Sequence, residues 1–299
     1  MKDSYLSDAF FSRLETLSLN LKSSLTGYFG GKHLVNTYGQ TVEFADFREY
    51  QLGDDIRRID WNLYSRFEKY FLKLFTDERQ MQIQIFLDCS ASMGKDNPKK
   101  SSFAVATAAA LGFLAVHNMD KVTFNIMKED KSDNPFGTII GKTAFFRAIT
   151  DLEKIEFDGD TDIEKCVTGC PDTGTRNGLS VIVSDFFSDS NWKKAVDYLC
   201  YKGRQVLLVQ IVTPEEDDPS YEGRVNLIDS ESVDIADTRN MKLRITRSMQ
   251  MAYEEAMKDF KNDIKSFCSK RGVGFITVRT DKPVERALFG ELLKVGVME

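Results

Sequence analysis

The stretch Gln82-Ile-Gln-Ile-Phe-Leu-Asp-Cys-Ser-Ala-Ser-Met-Gly94 decides the fold. Ile83, Ile85 and Leu87 alternate with Gln82, Gln84 and Phe86, and a short apolar run rich in β-branched residues reads as a buried strand. It runs into Asp88-x-Ser90-x-Ser92 and then Gly94. One carboxylate and two hydroxyls, at every second residue, stand where a strand opens into a loop. In an open α/β sheet, ligands bind outside the carboxyl ends of the strands. Three hard oxygen donors at such an edge suit Mg²⁺, which keeps several waters and takes few protein ligands. Asp and Ser are also ordinary turn and N-cap residues. On this stretch alone, metal binding and local capping are both open.

Downstream, strand and helix patterns alternate. Val122–Met127, Leu179–Asp185, Gln205–Val212 and Gly274–Val278 read as strands, and Phe136–Ile140 as a short edge strand. Helical spacing is carried by Phe103, Ala106, Ala110 and Phe113, by Phe145, Ile149 and Leu152, by Trp192, Val196 and Leu199, and by Met249 through Phe267. Asp189 or Ser190 can cap the third of these, Pro283 opens a last helix, and Thr213-Pro-Glu-Glu-Asp-Asp-Pro219 reads as an acidic loop. Residues 225–247 change period and read as two or three antiparallel strands set into the β/α chain. The alternation from about 82 to 295 predicts a doubly wound, mostly parallel sheet with a small antiparallel β insertion.

Upstream, Leu6, Phe10, Leu14, Leu17, Leu21 and Leu25 recur at helical spacing, and Gly27, Gly30 and Gly31 end that pattern. Residues 32–80 lack a clear period. They set Asp54, Asp55 and Asp60 among Arg48, Arg57, Arg58 and Arg66, with Tyr50, Trp61 and Tyr64 between. Such a segment is either an ion-pair network that pins a loop or a recognition surface, where Arg, Trp and Tyr dominate. The expected organisation is an N-terminal helix and extended segment over 1–80, packed on a main domain over 81–299.

Composition narrows the function. The 40 basic and 46 acidic residues give a net charge of −6, which argues against a general nucleic-acid binder. Five cysteines at irregular spacing, without a signal peptide, point to reduced thiols and a cytoplasmic protein. With only His33 and His117 in the chain, neither a zinc site nor a Ser–His pair has the residues it needs. No stretch approaches the ~20 apolar residues of a membrane span.

Two strands end in an acid, Asp88 and Asp185, and Gly159-Asp-Thr-Asp162 lies between them. In a doubly wound sheet these loops converge on one edge. Asp88, Ser90, Ser92, Thr161 and Asp185 then form an all-oxygen shell, with carboxylates supplying charge and hydroxyls supplying neutral donors. A cation between two acids relieves their repulsion.

The order Asp-x-Ser-x-Ser, then Thr, then Asp resembles the metal-ion-dependent adhesion site of von Willebrand factor A domains. Further upstream, Phe44-x-x-Phe-Arg-Glu-Tyr-x-x-Gly-Asp-Asp-x-Arg-Arg-Ile-Asp-Trp61, followed by Leu87-Asp-Cys-Ser-Ala-Ser-Met-Gly94, closely resembles the domain-of-unknown-function-58 family. The resemblance implies a bacterial protein with a von Willebrand factor A-type fold. It implies a role as adaptor or assembly factor beside a MoxR-type AAA+ ATPase, and establishes no catalytic activity. The metal set carries over as Asp88, Ser90, Ser92, Thr161 and Asp185, with Asp160 and Asp162 flanking Thr161 as alternative ligands. Cys89 replaces the bulkier or charged residue often found at that non-ligand position.

The expected function is a non-enzymatic, metal-dependent protein-interaction module. It would bind a partner carboxylate through Mg²⁺, with Mn²⁺ or Ca²⁺ as alternatives. The competing expectation is a metal-dependent hydrolase or phosphotransferase. Aspartyl-phosphate chemistry generally needs a second Asp two residues on, where this chain has Ser90. No Lys is evidently placed to neutralise a phosphate, and no Walker-type loop is present. A third expectation is a structural domain whose Asp and Ser residues only cap helices.

Overall fold

Strand β3 (Gln82–Asp88) is the centre of the fold because it is buried on both faces. In the computed structural model of the chain, residues 6–20, 42–77, 80–94, 97–171, 178–188, 190–217, 223–227, 241–245 and 247–296 are described. Residues 1–29 with 81–299 form one unit, and residues 30–80 another.

In the larger unit, β3 pairs in parallel with β4 (Lys121–Lys128) on one side and β6 (Leu179–Ser184) on the other. Beyond β4 lies a short antiparallel edge, β5 (Lys131–Asp133). Beyond β6 lie β7 (Gln205–Val212) and β10 (Gly274–Arg279), both parallel. The sheet order is therefore β10-β7-β6-β3-β4-β5. From β3 the chain winds one way and from β6 the other, so the order reverses between these neighbours. Loops leaving the carboxyl ends of two such strands turn to opposite faces and leave a crevice between them. This is a doubly wound, mostly parallel sheet.

The alternation of β3 is used on both faces. Ile83, Ile85 and Leu87 enter one apolar cluster, with α1 (Asp8–Asn20), α3 (Pro98–His117), α4 (Lys142–Leu152) and α9 (Val284–Gly296). Phe86 enters a second, with α5 (Ile163–Thr168), α6 (Trp192–Tyr201) and α8 (Arg247–Ser269). Gln84 shares that second face and meets the Ser180 hydroxyl at 3.3 Å. Contrary to the expectation from the sequence, helix α3 is long and apolar enough to cross a membrane by length and composition, but most of it is buried inside the protein. Its small residues allow close approach: a Cβ on Gly112 would lie 2.7 Å from the Phe124 ring. On its outer side Phe11 of α1 packs on Phe113, Phe145 and Phe146 with ring centroids 5.2, 6.0 and 5.1 Å away.

Several local expectations change. The edge strand is Lys131–Asp133 and not Phe136–Ile140, because a turn with Gly137 at φ +62° occupies the latter. Only Ile139 still bridges to Val122. The acidic segment after β7 opens as a helical turn, α7 (Pro214–Asp217), and not a loop; Asp218 and Pro219 lie outside the described residues. Thr213 and Glu216 form a reciprocal cap around it: the Thr213 N–H donates to Glu216 Oε2 (2.8 Å) and the Glu216 N–H to Thr213 Oγ1 (3.2 Å). Helix α6 begins at Trp192 after Asn191 rather than directly from Ser190, and Asp189 lies outside the described residues. The β insertion contains the antiparallel pair β8 (Gly223–Leu227) and β9 (Met241–Ile245). Its expected middle strand at Val233 lies outside the described residues, as do Leu21, Leu25, Gly27, Gly30 and Gly31.

In the smaller unit, β1 (Val42–Glu49) and β2 (Phe71–Asp77) form an antiparallel pair with an irregularity between Phe44 and Asp46. The acids of the intervening motif are used locally. Asp54 takes Arg48 at 2.8 Å and the Gln51 N–H at 2.9 Å, closing a turn that needs Gly53 at φ +106°. Asp55 caps the 3-10 turn Ile56–Arg58, and Asp60 caps α2 (Trp61–Phe67) through the Asn62 and Leu63 N–H groups. Tyr64 stacks on Tyr70 at 4.7 Å.

Candidate metal centre

Asp88 ends β3 with 1% of its surface exposed. Its Oδ1 accepts the Ser90 N–H (3.0 Å), and its Oδ2 accepts the Ser184 hydroxyl (2.6 Å) from the neighbouring strand. Ser184 in turn accepts the Phe186 N–H at 3.0 Å, so β6 and β3 are tied at the crevice. Asp185, the next residue, is equally buried, and its Oδ1 accepts the Phe187 N–H at 3.1 Å. The Ser90 and Ser92 hydroxyls lie 3.1 Å apart.

The loop carrying Thr161 is stitched to the same place. The Ala91 N–H donates to the Gly159 carbonyl (2.8 Å), and the Asp158 N–H to the Cys89 carbonyl (3.0 Å). Thr161 is buried, and its hydroxyl has no hydrogen-bond partner among the described residues. Its neighbours are occupied otherwise. Asp162 caps α5 through the Lys165 N–H (3.0 Å) and pairs with the Lys165 ammonium (2.9 Å). Asp160 accepts the Thr161 N–H at 2.7 Å. Asp160 and Asp162 each hold a local partner, whereas the Thr161 hydroxyl has none among the described residues.

The charge balance contains a group that sequence reasoning missed. Lys100, in the first turn of α3, has only 1% of its side chain exposed. Its Nζ donates to Asp185 Oδ2 (2.8 Å), Glu216 Oε1 (2.7 Å) and the Ser92 carbonyl (3.1 Å). Burial pulls its pKa down, but the Asp185 and Glu216 carboxylates outweigh that and leave it raised, so the ammonium stays charged. Asp88 moves the other way for a carboxyl. Burial first, and then the Asp185 charge, push it up to about 6 against the pull of the Ser184 and Ser90 hydrogen bonds.

Lys100 reaches the crevice because α3 starts close to the Ser92 loop. Asn97 caps the helix at the Lys100 N–H (3.3 Å), with Pro98 in the first turn. Gly94 lets the helix press in: a Cβ there would fall 2.3 Å from Ser101 Cβ. Asn97-Pro98 is a helix-start signal that places Lys100 inside the helix and not in a loop. The expectation that no lysine stands ready is thereby corrected. Thr213-x-x-Glu216 was the equivalent signal for the glutamate, and Ser184 offered none beyond its place before Asp185.

The donor set is two carboxylates and three hydroxyls. Among the described residues there is no group of three or more His, Cys, Asp or Glu placed to hold a metal. A set this rich in neutral oxygen suits a hard divalent cation that keeps its waters, and not zinc. The unpartnered Thr161 hydroxyl and the mutual repulsion of Asp88 and Asp185 fit such an ion. Lys100, already neutralising Asp185, opposes it.

The family described as protein of unknown function DUF58 matches residues 46–262. The chain belongs to this family. Uncharacterised proteins of Mycobacterium bovis and Mycobacterium tuberculosis are 24% identical to this DUF58 chain over 287 residues, covering 90% of it and 84% of each relative. Among solved structures, proximal thread matrix protein 1 from the mussel byssus is 12% identical with a TM-score of 0.40, over 72% of this chain and 46% of its own. The same mussel protein has also been solved with a zinc-occupied MIDAS motif (TM-score 0.39). A von Willebrand factor type A protein from Catenulispora acidiphila is 12% identical with a TM-score of 0.33, over 46% of this chain and 34% of its own. This chain thus spans less than half the length of the mussel protein.

Proposed function

We propose that this DUF58 protein is a non-enzymatic, metal-dependent protein-interaction module of the bacterial cytoplasm. Asp88, Ser90, Ser92, Thr161 and Asp185 would hold Mg²⁺, with Mn²⁺ or Ca²⁺ as alternatives. The metal supplies a Lewis-acidic position that accepts a carboxylate from a partner protein. The family resemblance implies a MoxR-type AAA+ ATPase as that partner. The observation that carries the reading is the buried, unpartnered Thr161 hydroxyl, on a loop hydrogen-bonded to the Asp88-x-Ser90 turn. A capping threonine would have spent that oxygen on a backbone N–H. The chain's own residues prepare the site: Ser184 and the Ser90 N–H fix the Asp88 carboxylate, and the Phe187 N–H fixes that of Asp185.

A phosphotransferase reading gains one point from Lys100, which could balance a phosphate. It remains second because Ser90 stands where an acid/base carboxylate is needed. Calorimetric titration of Mg²⁺ and Mn²⁺ into wild-type and Asp88→Ala protein, with and without the purified ATPase, tests the proposal. Metal binding and metal-dependent association should both vanish in the variant. Partner binding retained by Asp88→Ala would sink the proposal. Metal-dependent turnover of a phosphate ester, lost in Asp88→Ala, would put the second reading first.

A further inference from the structure

Lys100 stands beside the oxygen shell, on the carboxylate of one candidate ligand, Asp185, and on the backbone carbonyl of another, Ser92. Its Nζ lies 2.8 Å from the Asp185 carboxylate and 3.1 Å from the Ser92 carbonyl. An ammonium there already performs part of a metal ion's task. It is a compact positive charge that donates to oxygens converging from two loops. A divalent cation drawn to the same oxygens meets it at short range, where like charges repel strongly in a poorly solvated site. The ammonium has somewhere to go, however. Glu216 Oε1 lies 2.7 Å from it, and Glu216 is held from behind by the Thr213 N–H at 2.8 Å. The turn that carries Glu216 is itself fastened. The Tyr253 hydroxyl of α8 donates to the Glu216 carbonyl (2.9 Å), and Asp217 pairs with Lys261 and with Arg279 (3.0 Å).

We infer that Lys100 is a resident counter-ion that competes with the divalent cation for Asp185, and that Glu216 is the acceptor that lets it yield. The inference rests on the metal-dependent reading above and adds to it what sets the affinity of the site. It makes the two side chains act in opposite directions on metal binding. Removing the lysine charge removes a competitor, whereas removing the glutamate charge leaves the ammonium more firmly on Asp185.

The experiment is calorimetric titration of Mn²⁺ into the full chain as wild type, Lys100→Met, Glu216→Gln and the double variant, with circular dichroism melting to establish that each is folded. Lys100→Met should tighten Mn²⁺ binding by about tenfold or more, and Glu216→Gln should weaken it by roughly threefold to tenfold. In the Lys100→Met background, Glu216→Gln should have no further effect beyond about twofold, because the glutamate acts through the lysine. Equal weakening in both backgrounds would mean that Glu216 acts directly on the metal's field, and would overturn its part. If wild type binds Mn²⁺ and Lys100→Met binds no tighter, the counter-ion inference falls while the metal site stands. If only the Lys100→Met protein binds, both stand. If neither binds although both are folded, the metal-site reading falls and takes the inference with it. Lys100→Gln, which keeps a donor without the charge, should tighten binding in the same sense. If neither Lys100 variant folds, Glu216→Gln decides, and unchanged affinity there overturns the inference.

Discussion

Replacing Asp120 by Asn should stabilise the protein at neutral pH and not at acid pH. Asp120 sits in the turn between α3 and β4 with 2% of its surface exposed. Its Oδ1 accepts the Met81 N–H at 2.8 Å, and its Oδ2 is buried without a hydrogen-bond partner among the described residues. Burial raises its pKa from 3.8 to about 6, and the Met81 N–H recovers only part of that. The folded protein therefore holds this proton over the interval from about 3.8 to about 6 in which the unfolded chain releases it. Because the folded state binds more protons there, stability falls as pH rises through that window and stays reduced above it. At ~1.4 kcal/mol for each tenfold change in proton affinity, the charged carboxylate costs the fold ~3 kcal/mol at pH 7. An Asn side chain leaves one polar group unpartnered, as the protonated acid does, but never carries the charge. The stability difference between Asp120→Asn and wild type should therefore be within ~1 kcal/mol at pH 4 and approach ~3 kcal/mol in favour of Asn above pH 7. Guanidinium unfolding of both proteins at half-unit steps from pH 4 to 8 measures it, and taking the difference cancels the other titrating groups. A gap that does not change with pH, or that grows toward acid, would refute the desolvation argument.

Thr161→Val deletes only a hydroxyl that has no partner. It should leave the metal-free protein as stable as wild type or ~1 kcal/mol more so, since an unsatisfied buried hydroxyl costs about that much. In the same variant Mn²⁺ affinity should drop by about tenfold, equivalent to ~1.4 kcal/mol; a loss of stability with unchanged affinity would make Thr161 a structural residue. Gly112→Ala places a Cβ 2.7 Å from Phe124 and 3.0 Å from Phe145. Its overpacking cost of ~1–3 kcal/mol should exceed the ~1 kcal/mol gained in helix propensity, so the thermal midpoint should fall rather than rise.

The site residues were legible to different degrees for identifiable reasons. Asp88 and Asp185 stood out because each follows an apolar run, and a carboxylate after a buried strand is visible at a distance of one residue. Thr161 came from chain order alone, and its buried, unpartnered hydroxyl is a property of the packed loop. Lys100 was hidden by its neighbourhood. Within Lys95-Asp-Asn-Pro-Lys-Lys100 it looks like one more solvated charge, and only the close start of α3 over Gly94 turns it inward. Glu216 was hidden likewise among Glu215, Asp217 and Asp218, until the cap with Thr213 singled it out. The edge strand was misplaced because Phe136 and Ile139–Ile140 carry the apolar signal, while the pairing belongs to the polar Lys131–Asp133. A short edge strand is defined by its hydrogen bonds and needs no buried face.

The sequence by itself determined the succession of strands and helices, the two-sided burial of the central strand, and the oxygen-rich chemistry at its end. These follow from periodicity and from residue type, which are local properties of the chain. The tertiary structure decided which strands are neighbours and which charges meet. Asp88 is joined to Ser184 across 96 residues, and Lys100 to Asp185 across 85. Such partners are selected by the reversal of strand order in the sheet and by close helix packing. Both are settled by the burial of the whole chain, and neither is written in the residues flanking each side chain.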